Sequence, residues 1–182
     1  MRRRRVRGVR AAAGALLVLP LLTACEARPS DRFAEERERL QRVALDRLER
    51  QGYRVHRHAR PEFVVAYPAA LLQPLGGTDA GDGQRFASAD ARVTMTAMVD
   101  DDADSTTLRQ LFARENGGNG AGATAMPGGG RFVVTRQVDG HVRYVKASLR
   151  DGRLAVLTIE YDTTRTGQLA GVVPQVASVF PP

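Results

Sequence analysis

The sequence is poor in the residue types that carry redox chemistry, metal binding and acid–base catalysis. Among 182 residues there is one cysteine, Cys25, and there are three histidines, one lysine and no tryptophan. A single cysteine excludes a disulfide within the chain and every zinc site built on several thiolates. Three histidines and one lysine restrict the choice of a catalytic base, which leaves mainly carboxylates.

The chain also has little net charge once its first residues are set aside. The full sequence has 27 basic and 20 acidic residues, a net charge of +7, but six arginines and no acid precede Cys25. Residues 25–182 therefore keep 21 basic and 20 acidic residues, a net charge of +1. Nucleic-acid binding needs a basic patch that survives into the folded domain. We therefore expect no nucleic-acid partner.

A long apolar run is missing as well. The apolar stretch at 11–22 has twelve residues and contains Pro20, whereas a membrane-spanning helix needs about 20 apolar residues. A basic start, a short apolar middle and small residues before a cleavage point are typical of a secretory signal peptide. The sequence predicts such a signal at residues 1–24.

The residues at the end of this signal, Leu22-Thr23-Ala24-Cys25, resemble the lipobox of bacterial lipoproteins. The resemblance implies that the sulfur of Cys25 receives a diacylglyceryl group, that the chain is cut just before it, and that the new amino group is acylated. Several acyl chains anchor a protein stably, whereas one chain binds only marginally. We predict a domain held by lipid on Cys25 at a bacterial envelope membrane, on the extracytoplasmic side. The alternative is an ordinary signal cut near Ala24, with Cys25 left as a thiol.

The remaining chain divides into a tether at 25–30, an amphipathic helix at 31–52 and an α+β globular domain at 53–182. The apolar residues of the helix fall on one face or beside it: Phe33, Leu40, Val43, Ala44 and Leu48. Two interpretations stay open. The helix packs this stripe on the domain and exposes the rest to solvent, or it is a membrane-proximal stalk or a partner-binding helix.

The sequence of residues 53–182 predicts an antiparallel sheet of about six strands flanked by helices. Asp-Gly pairs at 139–140 and 151–152 separate β-branched runs, which is the strongest short hairpin signal and predicts a three-stranded meander over 131–162. Strands are also expected at 62–67 and on both sides of Asp90-Ala91 within 84–99. Further expectations concern helices and loops: a helix at 104–117, helical turns at 166–180, and loops at 73–83 and 116–130.

Three stretches, "YPA" at 67–69, "FASADA" at 86–91 and "RFVVTRQVDGHVRYVK" at 131–146, resemble the α/β/α sandwich family typified by PsbP and Mog1. The resemblance covers about residues 53–181. It implies an α/β/α sandwich with no shared catalytic residue and no cofactor, and members that act as assembly or binding factors.

Candidate metal sites are weak. In an EF-hand loop beginning at Asp100, the sixth and twelfth positions would be Ser105 and Leu111 instead of glycine and an acid. The acids Asp100, Asp101, Asp102 and Asp104 are therefore expected to form a solvated loop that leads into a helix N-terminus. His56 and His58 are expected on one side of an exposed strand, where a metal would need carboxylates from distant segments.

Candidate catalytic groups are equally sparse. The glycines of 117–130 lack the Gly-Lys-Ser/Thr end of a phosphate-binding loop. Ser148 and His141 form a weak pair, because their odd separation places them on opposite faces of a strand. Arg143, Tyr144 and Lys146 form either a ligand-facing patch or the polar outer face of the sheet.

These observations favour a non-enzymatic, membrane-anchored interaction or assembly module with a protein partner in the envelope. Its candidate surfaces are the 31–51 helix and the 117–130 loop, and no catalytic, cofactor or metal residue is assigned. The alternative is a small-molecule or lipid-binding protein with a pocket between sheet and helices. That pocket would be lined by Met95, Met98, Phe112 and Phe132.

Overall fold

The computed structural model describes residues 29–117, 121–126 and 129–180. The predicted signal peptide, Cys25 and most of the tether lie outside the described residues. The strands are β1 Tyr53–Ala59, β2 Glu62–Pro68, β3 Gln73–Gly77, β4 Gly83–Ala87, β5 Val93–Asp100, β6 Ala121–Met126, β7 Arg131–Val138, β8 His141–Arg150 and β9 Arg153–Asp162. The helices are α1 Pro29–Arg50, α2 Ser105–Asn116, α3 Thr166–Leu169 and α4 Val172–Val179, with a 3₁₀ turn at Thr163–Arg165.

The strands form one large sheet and a separate hairpin. Seven strands pair in the order β3-β4-β5-β9-β8-β7-β6, every pair antiparallel, and β1 pairs with β2 alone. The predicted α+β class, with an antiparallel sheet flanked by helices, is therefore confirmed. The meander is confirmed too, since Asp139-Gly140 and Asp151-Gly152 all have positive φ, as type I′ turns require.

Two segments expected to be loops contain strands. The 73–83 segment holds β3 and the 116–130 segment holds β6, so the loop predictions were wrong there. These two strands are the outer edges of the sheet. An edge strand is held by backbone hydrogen bonds to one neighbour, which do not need an alternating pattern of apolar side chains. All five residues of β3 are exposed, which is why no such pattern marks it.

The sheet has two differently covered faces. The β1–β2 hairpin and α4 cover one, which we call the hairpin face, and its core includes Met95 and Leu157 from the sheet and Phe180 after α4. Helix α2 covers the other, the α2 face, with Leu111 packed against Phe132 and neighbouring strand residues. The order of layers is α1, hairpin with α4, sheet, α2.

Helix α1 is attached through its C-terminal half only. Leu45 and Leu48 are buried against Ala66 and Val179 on the outer side of the hairpin. The apolar residues nearer its start stay exposed: Phe33 at 71%, Leu40 at 59% and Val43 at 58%. The interpretation that the whole stripe packs on the domain was wrong, because the hairpin and α4 meet a different face of the helix. The helix thus packs on the domain through its C-terminal half and leaves the apolar residues nearer its start exposed.

Candidate functional site

A cleft of about 790 Å³ lies where three elements converge. Helix α1 forms one wall, the hairpin forms the second, and the turn between β8 and β9 forms the third. The floor is apolar, with Leu45 from α1, Phe63 from β2 and Ala155 from β9, all of them buried. The cleft is partly open, and the charged residues of its rim are exposed to solvent.

The rim of this cleft is highly charged. Seven of its thirteen lining residues are ionisable, four basic and three acidic: Glu38, Arg42, Arg57, Glu62, Arg150, Asp151 and Arg153. Arg153 is fixed in place, because its Nε lies 3.2 Å from Asp101 Oδ1 and its guanidinium donates to the Glu62 carbonyl. The β8–β9 turn is thereby held against both the β5–α2 loop and the hairpin.

Ser148 lines the cleft, but the structure does not bring His141 to it. His141 begins β8 opposite Asp162, whereas Ser148 lies opposite Ala155 toward the other end of the same strand. Seven residues of extended chain separate the two by about 24 Å. The weak serine–histidine pair considered from the sequence is therefore not formed.

An ion-pair network that sequence reasoning missed holds α2 to the sheet. Glu115 of α2 is 2% exposed, and its two oxygens accept hydrogen bonds from Arg143 Nε at 2.9 Å and Nη2 at 3.1 Å. Arg143 Nη1 donates to Glu160 Oε1 at 2.5 Å. Burial alone would raise the pKa of Glu115, but the hydrogen bonds and charge of Arg143 outweigh it and hold that pKa below its usual value. Glu115 is thus an ionised structural anchor and is unsuited to act as a general acid.

The patch of Arg143, Tyr144 and Lys146 does not exist as a unit. Strand alternation puts Arg143 on the α2 face and the other two on the hairpin face, where Tyr144 packs against the core. Lys146 Nζ donates to the carbonyls of Ala177 at 2.7 Å and Phe180 at 3.1 Å, at the end of α4. Burial, and secondarily the charge of Arg131, lowers the pKa of Lys146. The ligand-patch interpretation was wrong.

His56 and His58 share one side of β1, as predicted, with ring centroids 6.2 Å apart. They are not on an exposed face, however: His58 stacks on Phe63 at 4.7 Å and His56 meets Phe86 edge-on at 5.8 Å. This side of the hairpin faces the sheet. His56 Nε2 is buried and has no hydrogen-bond partner within the described ranges, and burial, aided by the charge of His58, lowers the pKa of His56.

Metal binding finds no support among the described residues, which contain no group of three or more histidine, cysteine or acidic side chains suited to hold an ion. The aspartate loop behaves as expected for a helix start. Asp104 Oδ1 accepts from the Thr107 amide at 2.7 Å and caps α2, and Asp100 Oδ1 accepts from the Asp102 amide at 3.0 Å.

The four residues predicted to line a ligand pocket for the alternative function do not form one pocket. They belong to two packed cores on opposite faces of the sheet. Met98, Phe112 and Phe132 lie together on the α2 face, with the two phenyl rings 5.3 Å apart. Met95 lies on the opposite face in the other core. The prediction was wrong because residues 95 and 98 are an odd number of positions apart on β5.

Comparison with known proteins gives little beyond architecture. No protein-family model and no curated protein matches the chain. It is similar to the solution structure of cyanobacterial PsbP (CyanoP) from Synechocystis sp. PCC 6803, with 13% identity and a TM-score of 0.49, covering 71% of this chain and 92% of that one. At this identity and score the likeness carries no argument about the family or the function of the chain. Across the described ranges, no helix combines the length and apolar character needed to cross a membrane.

Proposed function

We propose that the protein is a lipid-anchored envelope protein that acts as a non-enzymatic interaction module, binding a segment of a protein partner in the cleft between α1, the hairpin and the β8–β9 turn. The observation that carries this proposal is the composition of the cleft. It is partly open, its apolar floor is small, and four basic and three acidic residues surround that floor.

Such a lining favours a polypeptide over a small molecule. Small-molecule pockets are usually enclosed and mostly apolar, with few polar groups. A protein interface combines a modest apolar centre with a polar rim that stays wet. Because both signs of charge occur on the rim, the matching partner segment carries both signs too, which disfavours nucleic acid or an acidic polymer.

The roles of the ionisable residues support a function without catalysis. Glu115 and Arg143 attach α2 to the sheet, Lys146 binds the end of α4, and the two hairpin histidines pack between the hairpin and the sheet. Each of these groups stabilises the fold.

The anchor rests on the lipobox resemblance and on the chain length beside it. Residues 26–28 separate the predicted lipid site, Cys25, from the first residue of α1, Pro29, which is four residue steps away. Four residues span at most about 14 Å. An anchored Cys25 would therefore keep the start of α1 close to the membrane surface.

Site-specific photo-crosslinking in the native membrane tests the partner. A photoreactive residue at Arg57 or Arg150 should give an adduct with a protein, and one at exposed Arg109 on α2 should not. The Arg57 adduct should weaken at least five-fold when Arg150→Glu reverses a charge on the opposite wall. Equal adducts from Arg57 and Arg109, or a lipid adduct alone, would contradict the proposal.

Replacement of the predicted lipid site tests the anchor separately. Cys25→Ser should abolish lipid attachment and release the protein from the membrane fraction, with a substitution at an exposed serine, Ser178→Ala, as a processed control. An unmodified Cys25 in the wild-type protein, measured by mass spectrometry, would refute the lipoprotein part while leaving the cleft prediction to its own test.

A further inference from the structure

The exposed part of α1 carries a heptad-like seam. Phe33, Leu40 and Val43 are spaced by seven and three residues, the a, a and d positions of a heptad, and all three are more than half exposed. Between Phe33 and Arg47, the remaining a and d positions of this repeat are Glu36 and Arg47 itself, which are also exposed. We call these five residues the α1 seam.

The α1 seam lies beside the face that packs on the domain and does not overlap it. At 3.6 residues per turn, the directions of Leu45 and Leu48 differ from that of the apolar seam residues by about 120°. The helix can therefore stay packed through Leu45 and Leu48 while the seam contacts something else. Three large apolar side chains aligned on an exposed helix face indicate an interaction surface.

We propose that the occupant of the α1 seam is the same helix of a second copy of this chain, in antiparallel orientation. With Leu40 opposite Val43 of the second copy, the same register puts Glu36 opposite Arg47 of that copy. The flanking g positions then pair Arg39 with Asp46. Each of these contacts occurs twice because of the two-fold symmetry.

Charge excludes the parallel arrangement. A parallel pair would place Glu36 against Glu36 and Arg47 against Arg47 at the seam itself, where like charges are unfavourable. In the single chain Glu36 has only a weak contact with Arg39, whose Nη1 lies 3.8 Å from Glu36 Oε2, and both side chains are mostly exposed. Such a surface pair contributes little and leaves both groups available for the second copy.

The position of the domain is compatible with this pairing. A two-fold axis perpendicular to the plane of two antiparallel helices keeps both domains on one side of that plane. Because the domain direction is about 120° from the seam, each domain also points away from the other helix. The opposite side of the helix pair stays free, and both helix starts lie in the same plane, so two lipid anchors can enter one membrane.

The strength of the association rests on the proposed anchor. The seam spans about two heptads, whereas stable coiled coils in water usually need three or four. Confinement of both copies to one membrane raises their effective concentration and compensates for the short seam. We therefore expect dimers in the membrane and monomers in dilute solution.

Disulfide crosslinking of the full chain in membranes tests the register. Two tagged copies, one with Phe33→Cys and one with Arg50→Cys, should form a mixed disulfide when co-expressed, since these positions face each other in the antiparallel register. Phe33→Cys alone should form no disulfide-linked homodimer, because its two copies lie about 25 Å apart along the helices. Co-expressed Glu35→Cys and Glu49→Cys, on exposed faces away from the seam, are the matched control.

Charge reversal at the flanking g positions tests the antiparallel register without changing the two introduced cysteines. Arg39→Asp should reduce the mixed disulfide at least five-fold, and adding Asp46→Arg should restore it, with melting temperatures unchanged. A Phe33→Cys homodimer, or no mixed disulfide in a protein shown to be membrane-bound, overturns the proposal. If the wild-type protein is found outside the membrane fraction, the lipid-anchor proposal is contradicted, and dimerisation is then tested by sedimentation at millimolar concentration. A monomer at that concentration overturns the dimer proposal.

Discussion

The two faces of the seven-stranded sheet are held by different physical means. Nineteen buried apolar residues form the core on the hairpin face, and eight form the core on the α2 face. The smaller core is supplemented by the buried Glu115–Arg143 pair and its extension to Glu160. Apolar burial is non-directional and grows with area, whereas a buried ion pair depends on both partners being present. The hairpin face is therefore stabilised mainly by its buried apolar area, and the α2 face depends more on a few specific contacts.

The largest effect is expected from leucine truncation on the two sides of β9. Leu157 is fully buried in the larger core, so Leu157→Ala should lower the free energy of unfolding by about 4 kcal/mol, and Leu154→Ala in the smaller core by about 2.5 kcal/mol. Urea denaturation of both variants measures the difference. Equal losses of stability would mean that the two cores are packed alike and would contradict the difference between the two faces.

The ion pair should give the next largest effect. Glu115→Gln keeps the shape but removes the charge opposite Arg143, which retains Glu160, so we expect a loss of about 2 kcal/mol. Arg114→Ala is the matched control, because Arg114 also contacts Glu115 but its side chain is 71% exposed, and its loss should stay within about 0.5 kcal/mol. If the two variants lose the same stability, the α2 face is held by its apolar contacts alone.

A polar contact on the hairpin face should matter less. Lys146→Met keeps the apolar stem and removes the ammonium that binds the Ala177 and Phe180 carbonyls, so we expect a loss of about 1 kcal/mol. Thermal unfolding measures the loss, and amide exchange should rise at the end of α4. Faster exchange in α2 instead would contradict the assignment of this contact to the hairpin face.

The smallest effect is a pH dependence from His56. Its pKa is lowered in the folded state, so the unfolded chain binds the proton more readily, and stability should fall as pH drops below the ordinary value of 6.5 until the lowered pKa is passed. Asp90, whose pKa is lowered to about 2, affects stability only at lower pH. His56→Phe should flatten the slope between pH 7.5 and 5, while exposed His141→Ala should not. An unchanged slope in His56→Phe would assign it to another group.

Local signals made part of the fold predictable. Two Asp-Gly pairs fixed the meander because type I′ geometry requires positive φ, and Asp104 marked the start of α2 because its side chain caps the helix. Strand β3 was not predicted, because all its residues are exposed and an exposed edge strand need not alternate apolar and polar side chains. The part of α1 that packs on the domain was not predicted either. The helix has more apolar residues than the hairpin and α4 cover, and the sequence does not show which of them are buried.

The candidate site was less predictable than the fold. The cleft is formed by segments more than a hundred residues apart, such as Arg42 on α1 and Arg150 at the end of β8. The Glu115–Arg143 pair likewise joins α2 to the middle of the sheet. Only Arg143 with Glu160 had a readable signal, because the register fixed by the second Asp-Gly turn places them opposite each other.

The contact of Lys146 with the end of α4 has a practical consequence for amine chemistry. It is the only lysine in the chain, and its ammonium donates to two backbone carbonyls in a partly buried position. Reagents that acylate or bridge lysine side chains should therefore label the folded protein slowly and label it fully only after unfolding. Lysine reactivity thus reports the docking of α4 at a single atom. Lysine-directed crosslinkers should capture neighbours of the folded protein poorly, because the one lysine to which they could attach is engaged with α4.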